Sequence, residues 1–113
     1  GTIDSLYGLG DIIWDERGWR GINAGGNLKE KGTIHWLNPN TGATNKCGFT
    51  ALSGGTRTLI GDFTYLGYYG DFWSSTEYAG MDAWTRGVIS DRADISRFNS
   101  PKRFGFSLRC LKN

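Results

Sequence analysis

Hydrophobic and polar positions alternate most clearly near the C-terminal end of the chain. There Phe104, Phe106, Leu108 and Cys110 fall on one side of an extended segment, and Ser107 and Arg109 on the other. A period of two is the pattern of a strand with one buried face. This run closes a longer stretch that opens Phe72-Trp73-Ser74-Ser75-Thr76-Glu77-Tyr78. Within it, aromatic and β-branched runs are separated by Gly, Asp, Asn, Ser and Pro, the punctuation of a strand meander. The spacing predicts three strands joined by tight turns, over Ala83–Ser90, Asp94–Phe98 and Phe104–Leu111.

Upstream the pattern is more broken. Ile3, Leu6 and Tyr7 have the i, i+3, i+4 spacing of one helical stripe, so Thr2–Leu9 reads as a short helix stopped by Gly8 and Gly10. Asp11–Gly26 reads as a loop anchored by Trp14 and Trp19, and Asn27–Glu30 as a short strand ended by Lys31-Gly32. Asn38-Pro39 and Thr41-Gly42 are turn dipeptides inside an ordered loop from Thr33 to Asn45. Gly48–Leu52 and Thr56–Ile60 are expected as two more short strands, and Phe63, Tyr65, Tyr68 and Tyr69 then lead into the Phe72 stretch.

Composition narrows the class. The 113 residues make one domain, and five Trp, five Tyr and six Phe supply large apolar bodies for its core. Eighteen glycines point to many turns and little helix. The net charge of +2 comes from 13 basic and 11 acidic residues that are interspersed. That balance argues against nucleic acid, whose binders concentrate basic charge in a stripe. No apolar run reaches the 18 residues of a membrane-spanning helix.

Five ordered blocks carry a family resemblance. They are Ala24-Gly25-Gly26-Asn27-Leu28-Lys29-Glu30-Lys31-Gly32, His35-Trp36 with Asn38-Pro39-Asn40-Thr41-Gly42-Ala43-Thr44-Asn45, Gly48-Phe49-Thr50-Ala51-Leu52-Ser53-Gly54-Gly55, Phe72–Tyr78 and Gly105-Phe106-Ser107-Leu108-Arg109-Cys110. In this order they resemble the Fibrobacter succinogenes major paralogous domain, over about residues 24 to 113. That family is found on secreted and surface proteins of bacteria, many of them lipoproteins. It is similar to C-type lectin-like domains, which implies an α+β, loop-rich fold with a small antiparallel sheet and a short N-terminal helix. Members have an upstream Cys-Pro-x-Gly-Trp segment and a full helix, so the resemblance implies that this chain begins inside that helix. It also bears on the two cysteines, which are either buried free thiols or partners. A Cys47–Cys110 bridge would close a loop of roughly 60 residues and add on the order of 4 kcal/mol. The resemblance favours the bridge, with Cys47 substituting for an upstream partner.

Catalytic chemistry finds little support in the sequence. His35 is the sole histidine and has no nucleophile or orienting carboxylate in a local motif. Cys47 lacks a reactive-cysteine signature. Formylglycine-generating oxidases share the lectin-like fold but need cysteines that this chain does not supply. Asp62, Asp71 and Glu77 would serve a glycosidase only if two of them stood about 5–9 Å apart. For metals, Asn38-Pro39-Asn40 resembles the Glu-Pro-Asn tripeptide of calcium-dependent lectins, with Asn38 in place of the carboxylate. Asn38 and Asn40 are therefore weak calcium candidates, set against a turn held by Asn side chains. No other cofactor is implied.

A third set of residues fits ligand recognition. Tyr65, Tyr68, Tyr69, Tyr78 and Trp84 are interleaved with Asp71, Asp82, Arg86, Arg92 and Arg97. Tyr, Trp and Arg give rigid contact area with polar tips, and they are enriched where binding energy concentrates. Trp73, Trp84, Phe104 and Phe106 are assigned to the core. Tyr68 and Tyr69, adjacent on a strand, would face opposite ways, leaving one exposed. In lectin-like receptor-binding domains of phages the outward side chains of the last strands form the binding face, and Arg86, Ser90, Arg92, Asp94 and Arg97 are the corresponding outward set by fold analogy. The ligand-binding candidates are Tyr68, Tyr69, Tyr78, Arg86, Arg92, Asp94 and Arg97. Together these features predict a non-catalytic recognition module of a secreted or surface-attached bacterial protein, binding a glycan or an extracellular protein through its loops and last hairpin. A spacer domain without a ligand is the alternative, and a hydrolase or oxidase is the third reading.

Overall fold

A computed structural model describes residues 4–8 and 11–109. A single 3-10 turn, Ile12–Asp15, precedes strand β1 (Gly18–Arg20) and helix α1 (Ala24–Leu28). Strands β2 (Thr56–Arg57) and β3 (Phe63–Thr64) form a two-stranded hairpin. Strands β4 (Tyr69–Ala79), β5 (Asp82–Ile89) and β6 (Ile95–Pro101) form an antiparallel meander, and β1 adds to its outer edge in the order β1-β6-β5-β4. This is a small domain of mostly antiparallel sheet with little helix. No helix among the described residues is long and apolar enough to cross a membrane.

Two of the expected strands are found where the alternation placed them. Ala83–Ser90 overlaps β5 with a shift of one residue, and Asp94–Phe98 overlaps the first part of β6, which starts at Ile95 and runs on to Pro101. Over its described residues, 104–109, the third does not form. Between Phe104 and Arg109 the chain makes only isolated bridges, Arg57 with Gly105 and Phe72 with Ser107, the latter parallel. Ring packing positions this segment: Phe104 stacks on Phe106 at 5.7 Å and Phe106 lies 4.7 Å from Trp73. Leu108 is 68% exposed, so the period-two pattern fails there, and Cys110 lies outside the described residues. The third strand of the meander is instead β4, the Phe72 stretch itself.

The other departures have local causes. Asp4–Gly8, the described part of the expected N-terminal helix, is bent, because the Asp4 carboxylate accepts the amides of Leu6 at 2.9 Å and Tyr7 at 3.2 Å. Asn27–Glu30 is not a strand: α1 runs through Leu28, and only Lys29 makes a bridge, with Ala51. A glycine pair opens this helix because two backbones come close to it. A Cβ on Gly25 would collide with the carbonyl of Asp94, and one on Gly26 with the carbonyl of Gly42. The Gly48–Leu52 strand fails because Gly48 (φ 77°) and Thr50 (φ 55°) are left-handed, and Asn45 holds that turn by accepting the Thr50 amide at 2.7 Å. The Thr56–Ile60 strand stops at Arg57, where Thr58 turns the chain by accepting from Gly61 and donating to Asp62.

Ala24, Trp36, Ala51, Val88 and Ile95 form the buried core, with Trp14, Leu28, Phe49 and Phe72 packed against it. Two charged residues are buried beside the core and tie loops together. Asp4, 3% exposed, also accepts the amides of Ile22, Asn23 and Ala24 at 2.8–3.0 Å, so it caps the start of α1 from a distance. Burial alone would raise its pKa, but the amides of Leu6, Asn23, Ile22 and Tyr7 outweigh that and lower it. Lys29 is fully buried, and its Nζ donates to the carbonyls of Thr41 (2.9 Å), Ile89 (2.9 Å) and Arg92 (3.0 Å). Desolvation pulls its pKa down to about 8, with the charge of Asp91 acting the other way.

Candidate functional site

The turn leading into β4 gathers three tyrosines. Tyr65 adopts a left-handed conformation (φ 62°), and its carbonyl accepts the amides of both Tyr68 and Tyr69 at 2.9 and 3.0 Å. This tight return brings the rings together. Tyr65 meets Tyr69 edge-on at 4.8 Å, Tyr69 meets Tyr68 edge-on at 5.0 Å, and Tyr65 lies 6.4 Å from Tyr68. A left-handed tyrosine costs backbone energy, on the order of 1 kcal/mol, and edge-to-face ring pairs contribute about that much each. Tyr68 precedes β4, so the strand alternation expected to separate Tyr68 from Tyr69 does not apply; both are half-buried and touch. Tyr65 remains 56% exposed.

Polar groups border these rings. The Tyr68 hydroxyl donates to the Asp91 carboxylate at 3.2 Å, on the connection between β5 and β6. Desolvation and the bond and charge of Asp91 raise the Tyr68 pKa. Burial, with Asp71, Tyr65 and Asp91 nearby, raises that of Tyr69. Both phenols therefore stay protonated and able to donate at neutral pH. The result is an exposed face of aromatic rings, phenolic donors and one acceptor carboxylate.

The hairpin candidates do not join this face as one outward set. Ser90 is buried (1% exposed), held where its amide donates to Tyr68 and its carbonyl accepts from Thr41. Arg92 forks onto Asp94 at 2.7 and 2.8 Å and covers the Trp19 ring at 4.3 Å. Arg97 lies 3.6 Å over Trp84 and donates to the Asp15 carbonyl at 2.6 Å, while Tyr78 meets Trp84 edge-on at 5.0 Å. Arg86 turns inward and donates to the Trp14 carbonyl at 2.5 Å. Most of these side chains are thus engaged by the domain itself. Tyr78 is 50% exposed, but it stands at the far end of β4 from Tyr69.

The remaining candidates also have definite positions. Asn38 is exposed, next to a cis Asn38–Pro39 bond. Asn40 is buried and donates both amide hydrogens, to Glu30 at 2.9 Å and Gly32 at 2.7 Å. These bonds staple the loop. Among the described residues no three His, Cys, Asp or Glu side chains converge on a point that could hold a metal. Cys47 is an exposed free thiol donating to the Asn27 carbonyl at 3.2 Å, and Cys110 lies outside the described residues. His35 pairs with Glu30 at 2.8 Å on the surface. Glu77 is tied to Lys102 and lies six positions along β4 from Asp71, roughly 20 Å of extended chain, far beyond a glycosidase pair. Asp71 is half-buried beside Thr56, and desolvation pushes its pKa up to about 6.

Sequence reasoning missed a cleft of about 810 Å³. Register places Phe72 beside Arg86 and Arg86 beside Arg97, and alternation along β5 puts Val88 on the same face. This face is the floor. Trp14 and Asp15 line one side, Leu28, Phe49 and Ala51 the other. The exposed Cys47 and Arg109 also line it, with the Arg109 guanidinium 4.2 Å over the Phe49 ring. Its walls come from four distant segments whose apolar residues each look like core, and only the inward turn of Arg86 on a strand distinguishes the site.

One comparison with known proteins identifies relatives. The family model described as the Fibrobacter succinogenes major domain matches residues 6–112, which extends the resemblance well upstream of residue 24. No curated protein and no solved structure matches the chain.

Proposed function

We propose that this chain, which belongs to the Fibrobacter succinogenes major domain family, is a non-catalytic recognition module that binds a glycan through the Tyr65, Tyr68 and Tyr69 face. The module would serve a secreted or surface-attached bacterial protein, with a C-type lectin-like arrangement of loops around its sheet. The observation that carries the proposal is the tyrosine cluster beside Asp91. Flat rings stack on the apolar faces of sugar rings, while phenolic hydroxyls and a carboxylate bond sugar hydroxyls. Tyr65 can give up exposed area to a ligand without disturbing the core.

The spacer reading has its own support, because Arg86, Arg92, Asp94 and Arg97 are engaged in contacts within the domain. A glycan array followed by calorimetry separates the two. The recognition reading predicts a saturable hit whose affinity falls about tenfold or more in Tyr65→Ala, while stability to urea falls by only about 1 kcal/mol, the worth of the lost ring pair with Tyr69. A spacer gives no saturable hit, or one that Tyr65→Ala leaves untouched.

A further inference from the structure

We infer that the cleft floored by Arg86 is a second binding site, for a small organic acid with one carboxylate and an apolar body. This goes beyond the recognition proposed for the tyrosine face and stands on different residues. At about 810 Å³ the cleft falls within the range of sites that enclose small organic molecules. Leu28 and Phe49 on one side and Phe72 on the floor give it an apolar lining.

The polar groups select the ligand's head. Arg86 is half-buried and keeps its charge at any physiological pH. One of its five N–H groups goes to the Trp14 carbonyl, and no carboxylate among the described residues forms an ion pair with it. Burial and the neighbouring Arg97 both press against its charge, with Asp15 the opposing influence. A guanidinium held in that setting is satisfied by a planar acceptor with two oxygens, which a carboxylate supplies. Arg109 lies on the same cleft and adds positive charge. Asp11 and Asp15 also line the cleft, so the surroundings favour a single negative charge over a phosphate dianion. In the bound form, the carboxylate forks onto Arg86 while the apolar body covers Phe49 and Phe72.

The test uses 4-phenylbutyrate and its uncharged match, 4-phenylbutan-1-ol, titrated by calorimetry into the whole chain. The acid should bind roughly tenfold more tightly than the alcohol, and Arg86→Gln should remove that difference while leaving the alcohol's affinity unchanged. Cys47 provides a second readout that needs no variant, because its thiol is exposed and lines the cleft. The acid should slow alkylation of Cys47 by iodoacetamide, followed by peptide mass mapping, and the alcohol should do so only at higher concentration. Equal affinity for acid and alcohol, no binding of either, or unchanged Cys47 alkylation at saturating acid would each overturn the inference.

Discussion

The connection between β5 and β6 is held from two sides in opposite ways. On its inner side, Lys29 reaches through the core and bonds the carbonyls of Ile89 and Arg92 together with that of Thr41. Every donor of that ammonium is used, and none of it reaches solvent. On its outer side, Asp91 receives one long bond from Tyr68, and the neighbouring Tyr65 ring is more than half exposed. The inner side uses buried polar groups to fix irregular backbone that has few sheet bonds. The outer side leaves donors, an acceptor and ring faces available. A domain with so little regular structure presents a defined surface only because its loops are pinned from within, and Lys29 and Asp4 are the pins.

Breaking the inner side should have the largest effect. Lys29→Met keeps an apolar stem of similar length but leaves three carbonyls without their donor, so stability to urea should fall by about 3–5 kcal/mol. Amides around the connection should lose protection from hydrogen exchange first.

Next in size is Asp71, which lies under the tyrosine end of β4 without a cationic partner among the described residues. Its pKa is about 6 when folded and 3.8 in the reference state, because burial disfavours its charge. Between those values the folded state holds more protons than the unfolded one, so stability falls as pH rises from about 4 to 6. Asp71→Asn should abolish that slope and stabilise the domain near pH 7 by about 2–3 kcal/mol, measured by urea unfolding across the pH series.

The smallest effect on folding belongs to the outer side. Tyr68→Phe removes an exposed hydroxyl bond and should cost less than about 1 kcal/mol in thermal unfolding. It would sharpen the comparison by weakening ligand capture without loosening the connection.

How much of this was legible depended on whether local pattern or long-range contact decided each element. β5 and β6 follow from alternation and turn residues close in sequence, and both were readable. The helix at Ala24–Leu28 was not, since Gly25 and Gly26 are poor helix formers kept there by the backbones of Asp94 and Gly42. Phe104 and Phe106 carry a strand's pattern but are placed by stacking with Trp73. Tyr68 and Tyr69 were recognisable as binding types, yet their contact with each other depends on the left-handed Tyr65. The arginines read as an outward set because strand alternation alone does not reveal what covers a face. Arg86 is roofed by Trp14, and Arg97 by Asp15, 72 and 82 positions away in the chain.

The most direct measurement is a chemical-shift titration of the isotope-labelled domain with the saturable glycan identified on the array. The account predicts shifts that follow one binding curve and map to Tyr65, Tyr68, Tyr69 and residues 90–92, with Lys29 unmoved. Shifts confined to the β2–β3 hairpin or to the far end of β4 around Tyr78, or a connection at 89–94 that rearranges together with Lys29, would contradict it.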